Sequence, residues 1–144
     1  MPCARWMVLV AIVLAAGCAG RQAPPIDDSL YQALGQKPGI TRVVEGMLLH
    51  IAKDERIKQH FAKIDIVRLR DKLVEQFCAE AGGPCVYSGD SMAESHKHMN
   101  LTRGDFNALV ENLIDSMDDE HIAVPVQNRL LARLAPMRGN VIER

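Results

Sequence analysis

GGPCVYSGDSMAESHKHMNLTRGDFNALVENL, residues 82–113, carries the pattern that decides the fold. Gly82-Gly83-Pro84 stops whatever helix precedes it. Ser91-Met92-Ala93-Glu94 has the Ser-x-x-Glu spacing of a capping box, so a helix is expected to open there with His96 just inside it. Phe106, Leu109, Val110, Leu113, Ile114 and Met117 then recur at helical intervals, which predicts a long amphipathic helix with one buried stripe.

Upstream, the same periodicity returns. Ile40, Val43, Val44, Met47, Leu48 and Ile51 fall on one face of a helix. Before it, Ser29-Leu30-Tyr31-Gln32 has capping-box spacing and predicts a short helix, broken over Gly35 to Gly39. A short turn is expected around Arg56 to Phe61. Asp65 can cap a further helix whose apolar residues include Ile66, Leu69, Leu73 and Phe77. Downstream, the last helix follows Pro125, tolerated in a first turn, and carries Leu130, Leu131, Leu134 and Met137. Pro136 should kink or shorten it. No stretch reads as a strand, and Ala, Leu, Met, Glu, Arg and Lys favour helix. The fold class expected is all-α.

A net charge of −1 over 144 residues argues against a general nucleic-acid binder, which would need a basic face. An apolar share of 48% suffices for one domain with a buried core. Residues 1–17 read as a signal peptide: Arg5 supplies the positive region, and Trp6 to Ala16 is apolar but short for a membrane span. Leu14-Ala15-Ala16-Gly17-Cys18 resembles a bacterial lipobox, with Ala15 where Leu is more usual, so Cys18 is expected to carry lipid; a plain secretory signal or a short uncleaved anchor is the alternative. Residues 18–28, with Pro24-Pro25, read as a tether, and 29–144 as the folded domain. The lipidated protein would sit at the cell envelope, on the periplasmic face of the outer membrane, since Ala19 is not the Asp that retains lipoproteins at the inner membrane. Cys78 and Cys85 would then occupy an oxidising compartment. A bridge and two separate thiols both fit, because sequence does not give the Cα separation a disulfide demands.

Of five histidines, His50, His60, His96, His98 and His121, none belongs to an HExxH pattern. His96 and His98 diverge on a helix, so they cannot easily share a metal. A zinc site lacks its converging ligands. Nucleophile-elbow, P-loop and dinucleotide motifs are missing as well.

The ordered pattern as a whole resembles the group I truncated haemoglobins. VVEGMLLHIAKDERIKQHFAKIDIVRLRDKLVEQF (43–77) is similar to the family's second helix through its distal helix. Residues 82–113 are similar to its Gly-Gly turn, proximal helix and following helix, and LARLAPMRGNVI (131–142) to its close. The resemblance implies a two-over-two helical sandwich around haem b, with His96 as the proximal ligand to iron. It implies that Phe61 packs on the porphyrin and that Leu48, Leu69 and Leu73 form the distal wall. Phe77, Met92, Leu101, Phe106, Leu109, Leu130 and Leu134 would line the rest. A neutral imidazole within an apolar shell suits haem iron.

The chain departs from the family on the distal side. Members often place Tyr where Leu48 stands, and Gln or another polar residue at Leu69 or Leu73. Distal donors decide between oxygen binding, activation and electron transfer. Three leucines imply a weaker hold on oxygen and a bias toward carbon monoxide or nitric oxide. Lys72 matches a position some members use for an internal sixth ligand. It would have to shed its proton to do so, and a solvated surface lysine is the alternative. Gln76, one turn beyond Leu73, is a weaker candidate for a polar group near the pocket. The Gly-Gly pair that often follows the family's first helix is replaced by Gly35-Gln36.

The implied function is reversible binding of a diatomic gas ligand at the envelope. Nitric-oxide or peroxide turnover would need a separate reductant, since no flavin or nicotinamide site appears. The alternative is a haem-free globin-fold lipoprotein acting as a protein-interaction module.

Overall fold

The computed structural model describes residues 27–142. The expected signal peptide, Cys18 and most of the tether lie outside them, as does the C-terminal pair 143–144. Among the described residues every regular element is helical. In order they are α1 (Ser29–Ala33), α2 (Gln36–Ile51), a 3-10 turn (Lys58–Phe61), α3 (Ile66–Glu80), α4 (Met92–Ser95), α5 (Arg103–Asp119), α6 (Val124–Leu134), a second 3-10 turn (Ala135–Met137) and α7 (Arg138–Val141). None of these helices is long and apolar enough to cross a membrane.

The fold is a two-over-two sandwich. α2 packs on both α5 and α3, and α3 packs on α6. The stripe on α2 does what its spacing dictates: Ile40, Val43, Val44, Met47 and Ile51 are all buried. It meets Ala108, Leu113 and Met117 of α5 in one core. The two helices approach closely at Gly46, where a Cβ would stand 2.4 Å from Ser116 Oγ. That hydroxyl, wholly buried, donates to the Val43 carbonyl at 2.6 Å, so its polarity is satisfied inside the core.

The helix starts differ from expectation in two places. α1 is capped at Asp28, and Ser29 is its first residue rather than its cap. Ser29 N–H instead donates to Asp27 Oδ1. The break after α1 spans only Leu34-Gly35, because Gly35 (φ 79°) and Gln36 (φ 58°) together make the left-handed turn and α2 begins at Gln36. Pro38 and Gly39 lie inside the first turn of α2, where a missing N–H costs nothing. Ile66, expected on the buried stripe, is 45% exposed because it opens α3 at the tip of the molecule. Asp65 caps that helix, accepting from Arg68 N–H at 3.0 Å. Pro136 ends α6 in a 3-10 turn.

Candidate functional site

α5 begins at a reciprocal box: Thr102 Oγ1 accepts from Asp105 N–H, and Asp105 accepts from Thr102 N–H. The hydrogen bonds from Thr102 hold the Asp105 carboxyl below the ordinary range, with His60 adding to the effect. His60 Nε2 stands 3.4 Å from Asp105 Oδ1 and ties the first 3-10 turn to α5. α4 is one turn long. Ser91 Oγ accepts from Glu94 N–H, as the Ser-x-x-Glu spacing requires. His96 is the C-cap of that turn rather than an interior residue. The helix cannot continue, because His98 (φ 64°) and Asn100 (φ 50°) both adopt left-handed backbone.

A cavity of about 360 Å³ opens between these elements. α3 contributes Arg68, Leu69, Lys72, Leu73 and Gln76; α4 and its flanks contribute Tyr87, Met92, His96, Met99 and Leu101; α5 contributes Asp105, Phe106 and Leu109; Phe61 closes one side. Its volume falls within the roughly 300–1,000 Å³ of small-molecule and cofactor sites. The structure thus gathers Phe61, Leu69, Lys72, Leu73, Met92, His96, Leu101, Phe106 and Leu109 around one space.

Four expected pocket residues lie elsewhere. Leu48 lines a second cavity of about 510 Å³ with Ile51, Ala52, Lys58, Gln59, Phe61, Ala62 and Ile66. Phe61 borders both cavities, whereas Leu48 borders only the second. Phe77 and Leu130 belong to the buried core, and Leu134 packs against it. Their helical spacing marks them as buried, but spacing does not distinguish core from pocket.

His96 has the geometry of an imidazole ligand. Its Nδ1 lies 2.7 Å from the Met92 carbonyl oxygen. A carbonyl can only accept, so the proton belongs on Nδ1 and Nε2 keeps its lone pair. A backbone carbonyl that fixes the tautomer and orients the ring is the usual support of a metal-binding histidine. The donor set therefore fits a haem iron on the His96 side. No group of three or more His, Cys, Asp or Glu able to hold a bare metal ion occurs among the described residues.

Lys72 is already engaged. Its Nζ donates to both Glu75 carboxylate oxygens at 3.1 and 3.0 Å and to Ser88 Oγ at 2.5 Å. Glu75 also accepts from Ser88 N–H and Ser88 Oγ. The Ser88 backbone and hydroxyl bonds, then Lys72, pull the Glu75 carboxyl down to about 2. Cys78 and Cys85 are bonded, with Cα atoms 5.7 Å apart, and pin the same loop to α3. Gln76 lines the cavity while 8% exposed, and its amide nitrogen meets only the thioether sulfurs of Met92 and Met137, at 3.4 and 3.2 Å. Arg138 stacks over the Phe106 ring, 5.7 Å from its centroid. His60, Tyr87 and Met99 line the cavity without having been singled out. The Thr102-x-x-Asp105 spacing was the available signal for this end of the site, though Asp in place of Glu or Gln makes it a less obvious box.

A two-over-two helical sandwich with a carbonyl-braced histidine on a largely apolar cavity is the architecture of a globin. Residues 29–143 match the bacterial-like globin family, and the chain belongs to it. The cofactor of this fold is haem with its iron. Among relatives, a group 1 truncated haemoglobin of Mycolicibacterium paratuberculosis is 28% identical over 121 residues, covering 84% of this chain and 88% of its own length. One from Nostoc commune is 28% identical over 116 residues, covering 81% and 98%. The crystal structure of truncated haemoglobin from Tetrahymena pyriformis superposes with a TM-score of 0.77 at 26% identity, covering 80% of this chain and 98% of that one. Solved variants of that protein alter one tyrosine and two glutamines. The sequence intervals between those three positions equal the intervals between Leu48, Leu69 and Leu73 here.

Proposed function

We propose that this globin holds haem b in the cavity bounded by α3, α4 and α5, with His96 Nε2 as the proximal ligand, and reversibly binds a diatomic gas at the cell envelope. The observation that carries this reading is the bond from His96 Nδ1–H to the Met92 carbonyl, which leaves Nε2 as a free donor on the cavity wall. Haem, when bound, supplies the iron that takes the gas. The protein's part is to hold the imidazole, exclude water and set the polarity met by the ligand. Leu69 and Leu73 make that wall apolar, so no hydrogen bond from these positions favours oxygen over carbon monoxide or nitric oxide. Lys72 stays an ion-pair group at the edge of the cavity, because Glu75 and Ser88 occupy all three of its donors. Lipid on Cys18 would place the domain at the periplasmic face of the outer membrane, and any turnover there would draw electrons from a separate reductant.

The test is spectroscopic. Residues 19–144, titrated with haem, should develop a Soret band at one equivalent, and His96→Ala should lose it or shift it to that of loosely held haem. A wild-type chain that gives no Soret band, or a His96→Ala variant with an unchanged one, would refute the assignment.

A further inference from the structure

The first 3-10 turn and the start of α3 form a tip with an unusual surface. Ile64, Ile66 and Val67 are 37%, 45% and 62% exposed. Residues 58–70 hold Lys58, Lys63, Arg68 and Arg70 against a single acid, Asp65. That acid is committed to capping Arg68 N–H. Lys63 and Arg68 are exposed and form no ion pair among the described residues. The tip also borders both cavities, since Ile64 and Arg68 line the first and Ile66 the second. Exposed aliphatic side chains within a basic collar are the elements of an interfacial lipid-binding surface.

The chain outside the described residues favours a bilayer as the occupant. Asp27 packs against Gly82, just beyond the C-terminal end of α3, whereas the tip is at its N-terminal end. α3 has 15 residues, roughly 22 Å at the helical rise of about 1.5 Å each. Extended chain from Cys18 to Asp27 reaches roughly 30 Å at about 3.3–3.6 Å per residue. The tether outspans the helix, so a protein held by lipid at Cys18 can lay the tip on the same surface. We propose that Ile64, Ile66 and Val67, collared by Lys63 and Arg68, form a docking face for an anionic lipid bilayer. Docking would turn the cavity rim toward the hydrocarbon, where apolar gases dissolve more readily than in water. The reach argument rests on Cys18 lipidation; the surface itself needs neither lipid nor haem.

The helical core described above lies within residues 27–142, and the chain from residue 19 onward, which contains all of it, serves as the probe. It is sedimented with vesicles of phosphatidylcholine, alone or mixed with phosphatidylglycerol. Binding is expected to the mixed vesicles only, with or without haem, and to weaken as salt rises. Val67→Asp and Lys63→Glu should each lower it, the former by roughly tenfold from lost apolar burial. Asp is favourable in the first turn of a helix, so Val67→Asp keeps α3, and Val67→Ser serves as a second, uncharged variant. Val124→Asp, at an equally exposed valine (61%) on α6, should change nothing. Absent binding to mixed vesicles, or equal losses in Val67→Asp and Val124→Asp, would overturn the proposal. So would self-association lost in Val67→Asp without vesicle binding, which would assign the tip to a second copy of the chain.

Discussion

Leu73→Gln should slow oxygen release from the haem-loaded protein by roughly tenfold to a hundredfold. Leu73 lies on the cavity wall and is only partly buried, so a side chain of similar length fits without displacing the core. Of the other polar groups that α3 brings to this cavity, Gln76 and Lys72 are engaged and Arg68 is exposed at its rim. Gln76 faces the Met92 and Met137 sulfurs, and Lys72 is held by Glu75 and Ser88. An amide introduced at position 73 would therefore act as a new donor. A hydrogen bond to a charged or strongly polarised partner contributes about 1.5–3 kcal/mol. At about 1.4 kcal/mol per tenfold, that is a factor of roughly ten to a hundred. Carbon monoxide accumulates much less charge, and its release should change by no more than about threefold, an effect below 1 kcal/mol. Stopped-flow displacement of oxygen by carbon monoxide, and of carbon monoxide by nitric oxide, measures both rates. If wild-type oxygen release is already slow and Leu73→Gln leaves it unchanged, the apolar-wall argument fails.

Other substitutions probe the frame around the site. Gly46→Ala brings a Cβ to within 2.4 Å of Ser116 Oγ and should cost about 1–3 kcal/mol of stability by overpacking the α2–α5 contact, read by urea denaturation. Cys85→Ser opens the link between α3 and the loop before α4. For so short a loop the loss should be about 2–3 kcal/mol, and dithiothreitol should reproduce it in the wild type only. Glu75 has its carboxyl lowered from 4.5 to about 2 by Ser88 and Lys72. Its contribution to stability is present above pH 4.5 and disappears as pH falls toward 2. The stability gap between wild type and Glu75→Gln, followed by denaturation at several pH values, should therefore close over that interval; a constant gap would show that the carboxylate's charge is not what matters.

The helices that build the core were legible because burial follows period. The α2 stripe was readable almost residue by residue, because α2 packs against both α5 and α3, whereas of the α5 stripe only Leu113 and Met117 are buried and Phe106 and Leu109 line the cavity instead. His96 became legible through order along the chain, as a lone helical histidine among five carries little information. What the pattern could not separate was core from pocket. Phe77 and Leu130 have the same kind of helical spacing as Leu69 and Leu73, and only the packing of α3 and α6 decides which of them face open space. Leu48 shows the same limit, since it lines the neighbouring cavity instead. Helix ends were read less well where a couple of residues outweigh a motif: Gly35 and Gln36 complete in two residues the turn expected of a five-residue break. α4 is shorter than its cap suggested, because His98 and Asn100 take left-handed conformations that no periodicity encodes.

The central claim is that His96 Nε2 is the protein's ligand to haem iron, and cavity rescue tests it most directly. His96→Gly removes the imidazole while leaving space for one in solution. The account predicts that His96→Gly loses the wild-type Soret and visible spectrum and that millimolar imidazole restores it, with the Met92 carbonyl able to orient the added ring as it orients His96. A variant that keeps the wild-type spectrum without imidazole would contradict the account, and so would one that imidazole cannot restore even though it retains haem and helical content.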